Sequence, residues 1–326
     1  MGKPSPQRQI QNIMGNIWQH VTKNEYPCMA KDCTRNAINS HLLMVNGILN
    51  NVAENGHLVE CGTKSIFALK QGEHSCCFKK VGVSQAASLP LFCNLHDTEI
   101  FSEIEQQDAD YTNYRHLLLY TYRTVCAELR QKEIAHEVCR RILSSRTLQD
   151  LMPEEQMMTF EYHRQGLSQG ISDFHHYIEA IMEDLTGNTK HFTFSSFTLP
   201  IKGIYAATVS TLFSDIYDTT VEVMPQFIFQ AVPLPDATQI IMGYHNDYVN
   251  PQMIEYIQLW NNVANHQLGR LLTGLLIHVE RWGMSPSLYS HLKTERVQEF
   301  YDYFLQSISW AKQNPTNDIN LFEGIF

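Results

Sequence analysis

Long apolar runs are missing from this sequence. A membrane-spanning helix needs about 20 consecutive apolar residues, and the most apolar run, Leu271 to Val279, is about half that length. The N-terminal segment 1–20 is polar and lacks the apolar core of a signal peptide. Gly2 could begin a myristoylation signal, but Pro6 breaks the required pattern. We therefore expect a cytoplasmic protein that does not associate with membranes.

Sequence motifs of several common enzyme families are also absent. The chain contains no P-loop signature, no glycine-rich dinucleotide fingerprint after a strand, and no nucleophile elbow of the G-x-S-x-G type. These motifs build phosphate cradles at helix N-termini or expose a reactive serine on a tight turn. The sequence therefore does not favour a P-loop ATPase, a Rossmann dehydrogenase or an α/β-hydrolase.

Cysteine is scarce in the second part of the chain. Of the eight cysteines, only Cys126 and Cys139 lie beyond residue 100. Disulfide frameworks are typical of small secreted chains, whereas clustered Cys and His in a cytosolic protein point first to a metal. The clustering before residue 100 therefore suggests a metal-binding N-terminal section.

Charge divides at the same place. Residues 1–100 contain nine Lys/Arg and seven Asp/Glu, a net charge of +2. The whole chain has a net charge of −10, so residues 101–326 carry −12. A strongly acidic body repels polyanions. If DNA or RNA is a partner, we expect it to contact the N-terminal section.

Hydrophobic periodicity divides the remainder into a helical part and a mixed part. Apolar residues recur every three to four positions from about residue 110 to 187, with an interruption at Pro153, which predicts two long helices packed as an antiparallel hairpin. Strand-like runs follow, and then helical periodicity returns; the tail 314–326 shows no pattern of its own. The predicted strands cover 192–199, 203–213, 227–232 and 239–244, and the predicted helices cover 251–264, 266–281 and 294–312.

These patterns predict an α+β protein in three sections. Residues 1–106 form a Cys/His-rich module, residues 107–188 the helical hairpin, and residues 189–326 a C-terminal α+β domain. The long amphipathic helices could also support a homodimer.

Two spaced pairs of ligand residues carry the chemistry of the N-terminal section. Cys28 and Cys33 are separated by four residues, and Cys93 and His96 by two. Zinc in structural sites takes four sulfur or nitrogen ligands in a tetrahedron, usually delivered as two close pairs. We predict a structural zinc ion bound by these four residues, in a treble clef made of a knuckle, a β-hairpin and a helix that starts near Cys93.

Alternatives to this zinc site remain open. The thiols could be buried as small apolar groups without any metal. Cys61, Cys76 and Cys77 compete with this assignment, since adjacent cysteines such as Cys76 and Cys77 could lie in a loop or form a redox or second metal site, and His57 or His74 could replace one of the predicted ligands.

The ligand spacing and its flanking residues resemble the zinc-stabilised branch of the HNH endonucleases. The resemblance covers residues 26–104 and lies in Cys28-x4-Cys33, the sequence Ala37-Ile38-Asn39-Ser40-His41, and Cys93-x2-His96-Asp97. A similar pattern occurs at the N-terminus of uncharacterised bacterial proteins, where it would suit a role in host defence.

The resemblance implies a role for particular residues in phosphodiester hydrolysis. His41 would be the general base, and Asp97 would help to hold a catalytic Mg²⁺ or Mn²⁺. Ser40 stands where these nucleases usually have Asp or His, and serine is a poor ligand for such an ion. Glu99 and Glu103 could supplement the site. The asparagine that orients the base could be Asn50, Asn51 or Asn55.

Two functional hypotheses follow. In one, the N-terminal module is a metal-dependent nuclease acting on DNA or RNA, regulated by the acidic C-terminal body. In the other, the zinc module is non-catalytic, and the protein binds a partner or acts as a scaffold through its C-terminal domain. The hypotheses differ in what His41 and Asp97 contact.

Overall fold

The structure is a computed structural model of the chain that describes all but a few segments. The described residues are 5–45, 48–63, 76–105, 109–215, 218, 220–261, 263–307 and 314–325. His74 lies outside these residues, so its predicted role as a substitute ligand is not addressed by the structure.

Helices and strands are mixed along the chain, as predicted for an α+β protein. In the described part of the chain the α-helices are α1 (Pro6–Thr22), α2 (Asn94–Phe101), α3 (Tyr114–Ser144), α4 (Arg146–Leu151), α5 (Glu154–Thr186), α6 (Pro251–Leu259), α7 (Asn265–Leu276), α8 (Pro286–His291) and α9 (Thr294–Ser307). The strands are β1 (Asn39–His41), β2 (His57–Thr63), β3 (Cys76–Gly82), β4 (Ser88–Pro90), β5 (Phe192–Leu199), β6 (Ile204–Ser210), β7 (Phe227–Pro233), β8 (Thr238–His245) and β9 (Trp282–Met284).

The strands form a large sheet and a small one. The large sheet has seven antiparallel strands in the order β3-β2-β9-β6-β7-β8-β5, and the small one pairs β1 with β4. The strands predicted over 227–232 and 239–244 are confirmed as β7 and β8, which pair as a hairpin from Ile228–Gly243 to Pro233–Thr238. The bounds predicted for β5 are confirmed, since this strand runs from Phe192 to Leu199.

The large sheet joins the first and third predicted sections. β2, from the N-terminal section, pairs with β9 at Val59–Met284 and Cys61–Trp282. β9 in turn pairs with β6, so two N-terminal strands extend the C-terminal sheet. The predicted boundary at residue 106 therefore separates a Cys/His-rich segment from a long helix, but strands from both sides of it belong to the same sheet. Pairing between residues so distant in sequence leaves no local pattern from which it could be predicted.

The predicted helical hairpin is present as α3 and α5, joined by the short α4. Pro153 stands at the N-cap of α5 and Gly187 at its C-cap, which matches the interruption and the end predicted from the sequence. At the open end, Tyr114 Oη donates to Asp184 Oδ2 over 2.5 Å. Arg164, near the start of α5, contacts His136, near the end of α3, so the helices are antiparallel.

Helix α3 lies between the large sheet and the Cys/His-rich segments. On the sheet side, Thr208 donates to Glu128 over 3.1 Å, and Gln230 donates to Thr124 over 3.0 Å. Burial raises the pKa of Glu128. The other side of α3 packs on the segments that contain Cys28 and Cys93, in one continuous apolar cluster.

Several elements went unpredicted or differ in length. Helix α1 was missed, although Ser5 caps it by accepting from the backbone N–H of Arg8 and Pro6 occupies its first turn. The strand β9 and helix α8 are too short for periodicity to reveal. The helix predicted over 266–281 ends at Leu276, because β9 begins soon afterwards.

The described part of the C-terminal tail packs on α7. Leu321 and Phe322 are buried, and the backbone N–H of Leu321 donates to Thr273 Oγ1 over 2.9 Å. Gly274 leaves room for the tail: a Cβ atom there would lie 1.8 Å from the carbonyl oxygen of Pro315. The tail therefore depends on a glycine inside a helix.

We expect Gly274→Ala to destabilise the protein by about 1–3 kcal/mol, because the added methyl group displaces the tail. Gly166→Ala is the matched control, since Gly166 is also helical and a Cβ there would meet nothing within 4 Å. The control should stabilise the protein by about 0.5–1 kcal/mol through helix propensity. Urea denaturation measures both. A Gly274→Ala variant at least as stable as the control would contradict this packing.

The last residue of β8, His245, is a buried histidine. His245 stacks on Tyr248 with ring centroids 4.7 Å apart, and its Nδ1 accepts from the backbone N–H of Asp247. Desolvation lowers the pKa of His245, against a smaller opposing effect of Asp247 and Asp184. His191 also faces it and favours the neutral form.

This depressed pKa predicts a loss of stability in mild acid. At pH values below about 6.5, the ordinary histidine pKa, the unfolded state binds more protons at this residue than the folded state does. The free energy of unfolding therefore falls as the pH drops below that value. His245→Gln keeps an acceptor and removes the titration. Between about pH 7 and pH 5, the free energy of unfolding of the wild type should decrease more steeply than that of the variant. Parallel pH profiles would rule out this role for His245.

Candidate metal centre

The first ligand pair lies on a tight turn. The backbone N–H of Cys28 donates to the carbonyl of Arg35 over 2.8 Å, and that of Cys33 donates to the carbonyl of Ala30 over 3.2 Å. Asp32 adopts a positive φ of 59°, which short polar side chains tolerate better than most. The turn brings both thiols to the same side of the segment.

The second pair lies at the N-terminus of α2. Cys93 is the N-cap residue of this helix and His96 is in its first turn. The backbone N–H of His96 is the main cause that lowers the pKa of Cys93. A helix N-terminus also favours negative charge, so this end of α2 suits a thiolate ligand.

Backbone hydrogen bonds hold the two pairs against each other. Met29 donates to the carbonyl of Leu91, and Ile38 donates to the carbonyl of Phe92, each over 2.8 Å. The ligand atoms of Cys28, Cys33, Cys93 and His96 all lie within 4.8 Å of one another. The structure thus brings together all four predicted metal ligands.

The spacing of these atoms fits a tetrahedral zinc ion. With Zn–S bonds of about 2.3 Å and Zn–N bonds of about 2.0–2.1 Å, a tetrahedron places sulfurs about 3.8 Å apart and sulfur and nitrogen about 3.6 Å apart. Cys33 Sγ and Cys93 Sγ are 4.0 Å apart. His96 Nδ1 is 3.5 Å from both Cys28 Sγ and Cys93 Sγ. Three sulfurs and one imidazole nitrogen also match the ligand preference of zinc.

A buried arginine of α3 contacts both ligand-bearing segments. Arg130 Nη2 donates to the carbonyl of Pro27 over 2.6 Å, and its Nε donates to the carbonyl of Pro90 over 3.0 Å. Sequence reasoning missed this residue. The sequence offered no local signal for it, since Arg123 and Glu133 lie on the same helix face and charged residues are usually exposed.

The remaining N-terminal cysteines lie away from this centre, on β2 and β3. Cys61 and Cys76 are buried, and Cys77 is partly buried. The adjoining thiol of Cys76 and burial raise the pKa of Cys61. Within the described parts of the chain, the Cys28–His96 cluster is the only group of three or more metal-binding side chains whose ligand atoms lie together. The alternative of a second metal site at Cys61, Cys76 and Cys77 therefore gains no support.

His41 ends strand β1, in register with Ser88 of β4. Its Nε2 is buried and has no hydrogen-bond partner among the described residues. The preceding Ser40 points into the core, where its Oγ accepts from the backbone N–H of Phe92 over 3.3 Å. Ser40 is therefore engaged with the backbone and does not stand beside His41 as a metal ligand.

Asp97 lies beside a buried arginine. Its Oδ1 is 3.7 Å from Nη2 of Arg123, whose side chain is 2% exposed. Glu105 Oε1 accepts from the same Nη2 over 2.6 Å, and the guanidinium lies 3.9 Å from the centroid of the Phe101 ring. Asp97 thus contributes to a buried charge cluster anchored on α3.

The predicted auxiliary residues are dispersed. Helix α2 ends at Phe101, so Glu103 lies beyond it and pairs with Arg115 over 2.9 Å. Glu99 and Glu103 therefore do not share one helix face from which they could supplement the site together, because the chain turns after Phe101. Asn50, Asn51 and Asn55 all precede β2, and the choice among them stays open.

Comparison of the chain with protein-family models, with curated proteins and with solved structures gave no match. The resemblance to HNH endonucleases therefore rests on the sequence pattern of residues 26–104 and stays a prediction. Among the described residues, no helix combines the length and the apolar character needed to cross a membrane.

We expect purified wild-type protein to contain about one zinc ion per chain, since the four donors form a complete ligand set. Cys28→Ser and Cys93→Ser should each lose most of this zinc. Cys77→Ser is the control and should keep it, because Cys77 lies outside the cluster. Elemental analysis after gel filtration measures the content. A wild-type protein without zinc, or equal loss in all three variants, would contradict the assignment.

Proposed function

We propose that residues 26–104 form a treble-clef module around one structural zinc ion, and that the protein is a non-catalytic binding or scaffold protein. The observation that carries the non-catalytic part of this proposal is that Asp97 Oδ1 lies 3.7 Å from the guanidinium of the buried Arg123, and the structural role of the ion follows from the four protein ligands of the cluster. Catalytic zinc sites keep one position for water or substrate, whereas structural sites fill all four with side chains. The partner surface would then belong to the C-terminal α+β section.

The order of elements supports the treble-clef assignment. The turn with Cys28 and Cys33 is the knuckle, β1 and β4 provide the hairpin strands, and α2 carries the second pair. The long connection between β1 and β4 contains β2 and β3, which extend the large sheet. The zinc ion would thus stabilise a unit that is attached to the body both through this sheet and through α3.

The surroundings of Asp97 argue for a non-catalytic module. A catalytic Mg²⁺ or Mn²⁺ needs several oxygen ligands around it. Asp97 instead faces the guanidinium of Arg123, and that positive charge opposes the binding of a divalent cation at the same carboxylate. The same carboxylate helps to compensate a buried arginine, which explains its place in the first turn of α2.

A second candidate is the HNH-type nuclease, acting on DNA or RNA. It is favoured by the buried Nε2 of His41 and Oδ1 of Asp97, neither of which has a hydrogen-bond partner in the part of the chain that the structure describes. Buried polar atoms without partners are uncommon in proteins and can mark a functional site. In this alternative, His41 would accept a proton from water while a divalent ion stabilises charge on the phosphate.

A cleavage assay separates the two candidates. Zinc-loaded wild type is incubated with plasmid DNA and with structured RNA, in the presence of Mg²⁺ or Mn²⁺, beside His41→Ala and the control His57→Ala, a half-buried histidine outside the metal cluster. We expect no divalent-dependent cleavage above the background of the His41→Ala protein. Cleavage by wild type and His57→Ala that is lost in His41→Ala would overturn the non-catalytic proposal and establish the nuclease.

A further inference from the structure

We infer that Arg130 of α3 is the positioning residue of the metal centre, so that zinc affinity depends on a side chain that does not touch the metal. This inference rests on the zinc site proposed above. It couples metal binding to the docking of the helical hairpin, two features that the sequence analysis treated as separate.

Arg130 bonds one carbonyl in each ligand-bearing segment. Pro27, whose carbonyl accepts from Nη2, directly precedes Cys28. Pro90, whose carbonyl accepts from Nε, lies at the end of β4, three residues before Cys93. One guanidinium thus fixes the distance between the backbone just before the first ligand and the backbone that leads to the third.

The guanidinium itself is held in place. Its third bond goes from Nη1 to Glu133 over 2.8 Å, and it lies 4.9 Å from the centroid of the Tyr26 ring. The side chain of Arg130 is only 4% exposed. Because an arginine presents its donors in a rigid planar fork, the two carbonyls are held at a fixed spacing, which the single ammonium of a lysine cannot do.

Burial explains why these bonds constrain the ligands. If the two segments move apart, the arginine loses a carbonyl partner in a place where water reaches it poorly, and an unpaired buried charge is unfavourable. The conformation with both bonds intact is the one in which the four ligand atoms converge. Arg130 therefore favours the ligand geometry before the metal binds, and residues that orient metal ligands in this way commonly change affinity by about 10–100-fold.

The test is a chelator competition that measures the zinc affinity of folded protein at one pH. The variants are Arg130→Met, which removes both bonds, and Arg130→Lys, which can keep one. Arg140→Met is the matched control, because Arg140 lies on the same helix, is exposed and pairs with Glu137. The ligand-field spectrum of the Co²⁺-substituted proteins reports the ligand geometry independently of stability.

We expect zinc affinity to fall about 10–100-fold in Arg130→Met, by less in Arg130→Lys, and not at all in Arg140→Met. The Co²⁺ spectrum should change in Arg130→Met. Equal affinity and equal spectra in wild type and Arg130→Met would overturn the inference. If Arg130→Met does not fold, Arg130→Lys decides by the same criterion. A wild type that binds no zinc would instead overturn the proposed metal site.

Discussion

The convergence of three thiols and one imidazole is the constraint on which the N-terminal part of the protein depends. Cys33 and Cys93 lie 60 positions apart in the chain, yet their sulfurs are 4.0 Å apart. The helix and strands next to them are short: β1 and β4 have three residues each, and α2 has eight. A bound metal ion would add to the stability that these short elements gain from packing on α3.

Helix α3 connects this centre to the rest of the molecule. On one side, Arg123 and Arg130 reach the segments that carry the ligands, and on the other, Thr124 and Glu128 reach the large sheet. Arg123 and Arg130 are seven residues apart, which is about two helical turns and therefore the same face. This helix makes the metal centre part of the body of the protein, in keeping with a structural role for the ion.

The sequence identified the four side chains that converge in the structure, because two short spacings of Cys and His are enough to suggest a zinc site. It also predicted the helical hairpin and β5, where periodicity extends over many residues. It could not predict that β2 extends the C-terminal sheet, or that Asp97 faces Arg123, since both depend on contacts between distant parts of the chain. The HNH resemblance suggested a catalytic role for Asp97, and the neighbouring Arg123 becomes apparent only in the folded structure.

The central claim is that one zinc ion is held by three sulfurs and one nitrogen, with no position left for solvent. X-ray absorption at the zinc edge of the purified protein tests it most directly, because the method counts sulfur and nitrogen or oxygen neighbours separately. Our account predicts three sulfur neighbours at about 2.3 Å and one nitrogen at about 2.0–2.1 Å. A shell with fewer than three sulfurs, or with an additional oxygen from water, would contradict a closed structural site.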